Sequence, residues 1–548
     1  MKKINSNYVI FIIMVLMSVI YCLPMFRMNG LRAFNNQDMM FHLSRAIGLS
    51  NVLSSPVNFN NFAHHGTMIN PFYPWLFLAP MYIVFKITHS IIVGYKIYFL
   101  FVTLMTMLIS YFSVYKINKH KISALCFAIT YSFSLYRTDD VYYRSSVGEA
   151  VAMAFLPLML LGIYYVIFDD YKKWYWLSFG MSALLYTHLL STVIATLLLT
   201  VTLVCSIAKS NNILKRLVAL IFAGLSSFLL SLAFIVPFIT YSLENNLSTP
   251  PVFKLQGFDF GSMLVDSLNN HIQHTNLGAL VILTLCLTGI MFINGNFKAT
   301  KFEKYTLYYG TVLLLCSSSL FPWHLFNNTP FAQIQFIWRL NAFSTALILM
   351  AFSLFTLPKL RIKNSYYVVA LLAITCLHLS AVHDMYNDPQ KTYNQLEGDR
   401  YTNKLAANYF HTDYTPISAA EHADLLSQSI NSLNKNVVAQ VKIGENNYTI
   451  KINNKNEKDY DLSVPVYYYP NQRVVVNHNL SKSSANNTGT TLITIPKGIS
   501  QISISYQYSL SDKIALFISL ISLILLIIYI LYRNKFNNTS DFYKKFLS

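Results

Sequence analysis

Acidic and basic side chains crowd a few short stretches of an otherwise apolar chain. In FNNQDMMFHLSRAIGLSNVL, Asp38, His42 and Arg45 fall at i, i+4 and i+7. A helix following Asp38 therefore turns an acid, an imidazole and a guanidinium to one face, with Phe41, Ala46, Leu49 and Leu53 on another. The plainer alternative is an amphipathic helix whose polar face is merely wet. A second stretch, YRTDDVYYRSSVGEA, holds Asp139, Asp140, Arg144 and Glu149. Glu149 opens the apolar run VAMAFLPLMLLGIYYVIF, where a helix N-terminus can stabilise a carboxylate but an ionisable group at membrane depth is otherwise costly and tends to serve function. His188, in LLYTHLLS, interrupts a long apolar stretch that must fold as two helices with a tight turn between them, and it is either a turn residue or a substrate contact. Arg339, in FIWRLNAF, stands where another apolar run begins; it either snorkels to headgroups or holds a phosphate with its planar donors.

The chemistry open to such groups is proton transfer by a carboxylate and charge stabilisation by guanidinium. His64 and His65 with Asp38 lack metal-ligand spacing, and a divalent metal ion stays an open alternative rather than an assigned cofactor. No phosphate-cradling P-loop, H-E-x-x-H pair or G-x-S-x-G elbow is present.

The elements that must position these residues are membrane spans. The chain has 548 residues, 54% hydrophobic and 12% charged, with mean hydropathy +0.41, whereas soluble domains carry roughly 25% charged residues. Its apolar runs approach the ~20 residues a helix needs to cross ~30 Å of hydrocarbon. The net charge of +18 resides mostly in short clusters between those runs, which fits cytoplasmic loops and argues against nucleic acid as a partner. All six cysteines (Cys22, Cys126, Cys205, Cys286, Cys316 and Cys376) fall in apolar stretches, so a disulfide framework is not expected. The N-terminal run has no cleavage signature and reads as an uncleaved first helix.

Charge fixes an expected topology. With Lys2 and Lys3 inside, 8–25 crosses outwards. Letting the next run (72–84), with Pro71, Pro74 and Pro80, lie along the outer interface puts the basic segments at 116–121, 169–173, 209–216, 297–304 and 359–363 all inside. This predicts about twelve transmembrane helices plus one interfacial or re-entrant helix. A transmembrane domain spans 1–383, with external loops 26–94 and 137–147, a turn near His188, and outer segments 243–275 and 322–337. An extracytoplasmic region, 384–510, opens with helical sequence and turns to alternating runs that predict a small β sandwich. A final transmembrane helix, 511–533, and a cytoplasmic tail, 534–548, complete the chain, with both termini cytoplasmic.

Six segments together resemble a known family: QDMMFHLSR (37–45), NPFYPWLFLAP (70–80), YRSSVGEAVAMAFLPLMLLGIYY (143–165), THLLS (187–191), FIWRL (336–340) and VPVYYYPNQRVVV (464–476). The chain is similar to the bacterial multi-span proteins of the YfhO type and the related 6-pyruvoyl-tetrahydropterin synthase-related membrane proteins, which look like members of the GT-C glycosyltransferase superfamily. It departs from the family pattern in having Gln37 where a glycine precedes the acid. The resemblance implies sugar transfer from a polyprenyl-phosphate donor to a cell-envelope acceptor, such as lipoteichoic acid or another wall glycopolymer, at the outer face of a bacterial cell membrane. It further implies Asp38 as catalytic base and Glu149 as a second acidic site residue, with Asp139 and Asp140 as competitors for that second role. His42, Arg45, Arg144, His188 and Arg339 are then candidate substrate contacts. The alternatives are a transporter or flippase of lipid-linked saccharides and a non-enzymatic envelope assembly protein.

Overall fold

A computed structural model describes residues 6–206, 211–295, 298–360, 363–422, 430 and 437–546; Lys2 and Lys3 lie outside them. The chain folds into a bundle of apolar helices topped by a β-rich region. Eight helices are long and apolar enough to cross a membrane: Ser6–Arg27, Ile91–Asn118, Val147–Phe168, Leu189–Ser206, Ile213–Leu230, Ile337–Lys359, Ser365–Asn387 and Leu510–Arg533. Four further expected spans are helical but shorter, at Lys121–Ser132, Tyr175–Leu185, Ala279–Ile293 and Lys301–Cys316. Their α geometry stops before ~20 residues are reached. The count of full-length spans among the described residues is thus eight rather than twelve.

Two of the eight form the middle of the bundle. In the most apolar stretch of each helix, 94% of the residues are buried in Ile337–Lys359 and 83% in Val147–Phe168, against 17–50% in the other six, so the outer helices turn their apolar side chains outwards, as a lipid-facing surface requires. Glycine lets the central helix approach its neighbour: a Cβ on Gly162 would meet the Leu177 backbone at 2.3 Å, and one on Gly180 the Met159 backbone at 2.7 Å. Small residues at such crossings allow backbones to touch.

The proline-bearing segment forms a 3-10 turn, Leu76–Leu78, then a helix, Ala79–Thr88, with Pro80 in its first turn and His89 in left-handed conformation ending it. Proline suits a first turn because its missing N–H has no helical partner there. The two pieces together are too short to span. At the C-terminus, helix Leu510–Phe546 continues through the segment expected to be a separate tail.

The β-rich region is a two-layer arrangement. Strands β3 (Val437–Ile443), β4 (Asn447–Asn454), β6 (Arg473–Val476), β7 (Asn479–Ser481) and β10 (Gly498–Ser505) form a sheet in the order β3-β4-β10-β6-β7, and β5 (Tyr460–Tyr467), β8 (Ser483–Ala485) and β9 (Thr490–Ile495) form a second in the order β5-β9-β8. Alternating residues such as Ile450, Ile452, Val464, Ile493, Ile502 and Ile504 meet in one apolar core, the period-2 pattern of a half-buried strand. That core also takes Val57, Phe59, Met68 and Phe72 from the first loop. A further pairing joins the same two regions: β1 (Leu31–Phe34) runs antiparallel to β2 (Tyr393–Leu396), with Leu31 opposite Leu396 and Phe34 opposite Tyr393. Loop 26–94 and region 384–510 are thus joined by shared core and shared strands.

Candidate functional site

Three elements begin at the same place. The two central helices carry Glu149 and Arg339 in or beside their first turns, and helix Met39–Ile47 starts from Asp38. The backbone N–H of Asp38 donates to the Arg144 carbonyl at 3.0 Å, which ties the first loop to the second.

Glu149, 1% exposed, is the hub. Its Oε1 accepts from the Tyr136 hydroxyl at 2.6 Å and its Oε2 from Arg144 Nη2 at 3.1 Å. Arg339 Nε lies 3.8 Å from the same Oε2 and makes no hydrogen bond among the described residues, while Arg339 Nη1 donates to the Ile334 carbonyl and the Gln335 side chain. Arg144 reaches the other way as well, its Nη1 donating to Asp140 Oδ1 at 2.5 Å. Burial works against the Arg144 charge, but Glu149 and Asp140 outweigh it and hold the guanidinium charged. Pairing of this kind is what lets ions persist away from water.

The segment 137–147, expected as an external loop, is largely helical and mostly buried by protein. Helix Leu135–Thr138 runs into a π-helical turn, Asp139–Tyr143, a geometry common at functional sites. Asp139 and Asp140 are fully buried. The cause is packing against spans on several sides: the Tyr142 hydroxyl donates to the Tyr21 carbonyl, and Thr138 meets His378 at 3.3 Å. Neither carboxylate oxygen of Asp139, and one of Asp140, has a hydrogen-bond partner among the described residues. Burial pushes Asp139 up to about 7, opposed by Arg144 and Lys391; burial and the neighbouring Glu149 raise Asp140 too.

Asp38 stands apart. Its residue is exposed and its side chain makes no capping hydrogen bond. Surrounding protein strips part of the carboxylate's hydration and raises its pKa, opposed by Arg144 and Arg339. The rest of its helix is not the wet polar face that was the plainer expectation. His42 and Arg45 are buried, with Arg45 Nη1 3.2 Å from His42 Nδ1. Arg45 Nη2 is spent on the Tyr73 and Pro74 carbonyls, so Arg45 holds the proline-bearing segment against this helix. Burial, then Arg45, drives the His42 pKa well down, and a neutral ring with Nδ1 accepting leaves Nε2–H to donate. On the apolar side Phe41, Ala46 and Leu49 are buried as expected, but Leu53 is 70% exposed, because the helix stops at Ile47 and Gly48.

His188 occupies the tight turn between helices Tyr175–Leu185 and Leu189–Ser206, as expected. Its Nδ1 accepts from the Ser191 backbone N–H at 3.3 Å. Burial and Arg339 drive its pKa down to about 3, so it too presents a neutral ring. His64 and His65 bond the carbonyls of Phe59 and Pro465 and fasten loops. Among the described residues no group of three or more His, Cys, Asp or Glu is placed to hold a metal ion.

The structure adds residues that the sequence did not single out. Tyr136 donates to Glu149. His411, from the C-terminal region, packs tilted against Phe41 with ring centroids 4.5 Å apart and lies 3.3 Å from Asp413, near enough to Asp38 to act on its carboxylate. Lys391 sits over the Tyr143 ring at 4.5 Å, and His274 packs on Trp338 at 4.3 Å. Tyr136 is one of 38 tyrosines with no distinguishing spacing; FHTDY, around His411 and Asp413, was readable as an acid–imidazole pair.

No family model and no curated protein matches the chain. Among solved structures, the arabinofuranosyltransferase AftD from Mycobacteria aligns with 71% of this chain and 28% of its own, at 12% identity and a TM-score of 0.39. This chain therefore spans between a quarter and a third of that protein's length. What the site and fold establish together is a mostly helical chain with membrane-length spans, a small C-terminal β region, and an acid–arginine cluster where its two central helices begin.

Proposed function

We propose that the protein is a membrane glycosyltransferase of GT-C type, moving a sugar from a polyprenyl-phosphate donor to a hydroxyl of a cell-envelope acceptor at the outer face. The observation that carries the reading is the division of labour between the carboxylates: Asp38 is exposed and uncommitted, while Glu149 is buried and fully engaged by Tyr136, Arg144 and Arg339.

In this reaction the acceptor oxygen attacks the anomeric carbon, the bond from that carbon to the phosphate oxygen breaks, and polyprenyl phosphate leaves with the bonding pair. Asp38 takes the acceptor proton; a carboxylate of raised pKa is a better base near neutrality. Glu149, Asp140, Arg144 and Arg339 together carry two carboxyl and two guanidinium groups; burial and Glu149 raise the Asp140 pKa, and with Asp140 protonated the cluster holds an excess of one positive charge. That excess suits a phosphate on which charge develops. Neutral His42 and His188 donate hydrogen bonds to sugar hydroxyls without adding charge. Glu149 is thus a positioning residue for both arginines. The C-terminal region acts as a wall over Asp38 through His411 and, with loop 26–94, holds the acceptor.

The test is transfer of radiolabelled sugar from a panel of polyprenyl-phosphate pentoses and hexoses to envelope acceptors, in membranes holding wild type or Asp38→Asn at matched amounts. Transfer by wild type and its loss in the variant supports the assignment. Equal transfer by both removes Asp38 as base, and no transfer by wild type across the panel favours a flippase.

A further inference from the structure

At the far end of the helices that carry the site lies a second charged feature. Glu149 and Phe168 mark opposite ends of one span, and His188 and Cys205 opposite ends of another. At 1.5 Å per residue these pairs are roughly 25–28 Å apart, close to the thickness of bilayer hydrocarbon. Phe168 and Cys205 both line a cavity of about 580 Å³, whose other walls include Arg216, Lys301, Lys304, Tyr308 and Tyr309. Three cations and no carboxylate line it among the described residues.

The division of roles inside it is clear. Arg216 donates Nε to the Asn211 carbonyl, Nη1 to that of Val166 and Nη2 to that of Asp169, so it ties the start of its own helix to the end of the span Val147–Phe168 and contributes charge rather than a hydrogen bond. Lys301 and Lys304 are exposed at the first turn of helix Lys301–Cys316, whose end is closed by a capping box between Thr300 and Glu303. Of the acids in these segments, Glu303 is committed to that cap, Asp170 is paired with Lys173 and Arg533, and Asp169 follows Phe168 without lining the cavity. Positive charge is therefore concentrated in the cavity. Its volume suits a headgroup better than a lone water.

We propose that this cavity binds a phosphate-bearing anion, supplied either by the headgroup of an anionic phospholipid or by free phosphate. Lys301 and Lys304 contact the phosphate as ammonium groups, Tyr308 and Tyr309 offer hydroxyls, and Arg216 supplies fixed background charge. Basic pockets between spans bind anionic headgroups in this way. The proposal does not depend on the reaction assigned to the opposite end.

The test uses the full chain in nanodiscs of phosphatidylcholine with and without phosphatidylglycerol, released for native mass spectrometry. Wild type is expected to retain phosphatidylglycerol in preference to phosphatidylcholine. Lys301→Gln with Lys304→Gln is expected to weaken retention on the order of 30-fold, given the usual contribution of each lysine near an anionic surface. Lys301→Arg with Lys304→Arg keeps it, which separates loss of charge from loss of fold. In a second arm, detergent-solubilised protein is titrated with inorganic phosphate while thermal unfolding is followed; stabilisation of wild type but not of the glutamine variant assigns the free anion as ligand. Absence of both effects in wild type, or an undiminished response in the glutamine variant, overturns the proposal.

Discussion

Replacing Asp38 by asparagine removes a carboxylate that makes no hydrogen bond among the described residues, so the fold has little reason to respond. Asp38→Asn is expected to lower sugar transfer by about 10²–10⁴-fold, the usual worth of a general base, with the unfolding temperature of purified protein unchanged. Glu149→Gln has the reverse signature. It leaves Arg144 with Asp140 alone and Arg339 with no ionised partner among the described residues; breaking a buried ion pair costs about 3–5 kcal/mol, which should appear as reduced thermal stability in detergent alongside any loss of transfer. Asp139 adds a pH dependence. Its pKa near 7 lies above the ordinary 3.8, so the folded form keeps a proton that the unfolded chain releases, and stability falls as pH rises from about 4 to about 7. Asp139→Asn lacks that decline; relative to wild type its unfolding temperature should gain more at pH 8 than at pH 5. The candidacy of Asp38, Arg144, Glu149 and Arg339 was legible because ionised groups beside apolar runs are expensive. Their division into free and engaged was not, since it depends on Tyr136 and on the distance between two helix starts.

At the scale of elements, the central helix approaches its neighbour over two glycines. Gly162→Ala places a methyl group into the Leu177 backbone, and overpacking of this kind typically costs about 1–3 kcal/mol. A lowered unfolding temperature followed by fluorescence-detected size exclusion would register it. Helix Met39–Ile47 shows how far periodicity reaches. It correctly put Phe41, Ala46 and Leu49 inward, and it grouped His42 with Arg45. It could not see that Arg45 would be consumed by the Tyr73 and Pro74 carbonyls, nor that the helix would end before Leu53. The shortened spans have a similar explanation: hydropathy counts apolar residues and is blind to where α geometry gives way, as at Phe133 and Ser134 after Lys121–Ser132.

For the whole molecule, the charge pattern predicts a sidedness that cysteine labelling can read. In a background with the six native cysteines replaced by serine, Leu53→Cys and Ser484→Cys should react with a membrane-impermeant maleimide on intact cells. Lys172→Cys and Lys304→Cys should react only after permeabilisation; the opposite pattern would turn the molecule over and place the acid–arginine cluster inside. The alternating strands of 437–505 were readable as a two-sheet unit because side chains there obey a period of two. The pairing of β1 with β2 was not, because nothing in LRAF marks it for a partner so distant in sequence. That pairing bears on how the protein is made. Leu31 leaves the ribosome 365 residues before Leu396, the residue it pairs with, an interval of roughly 20–70 s at ordinary synthesis rates. During that time the first loop has neither its sheet partner nor the core that receives Phe59 and Phe72. A nascent chain arrested before residue 393 should therefore leave this loop open to protease, and the face that carries Asp38 is among the last parts of the molecule to be completed.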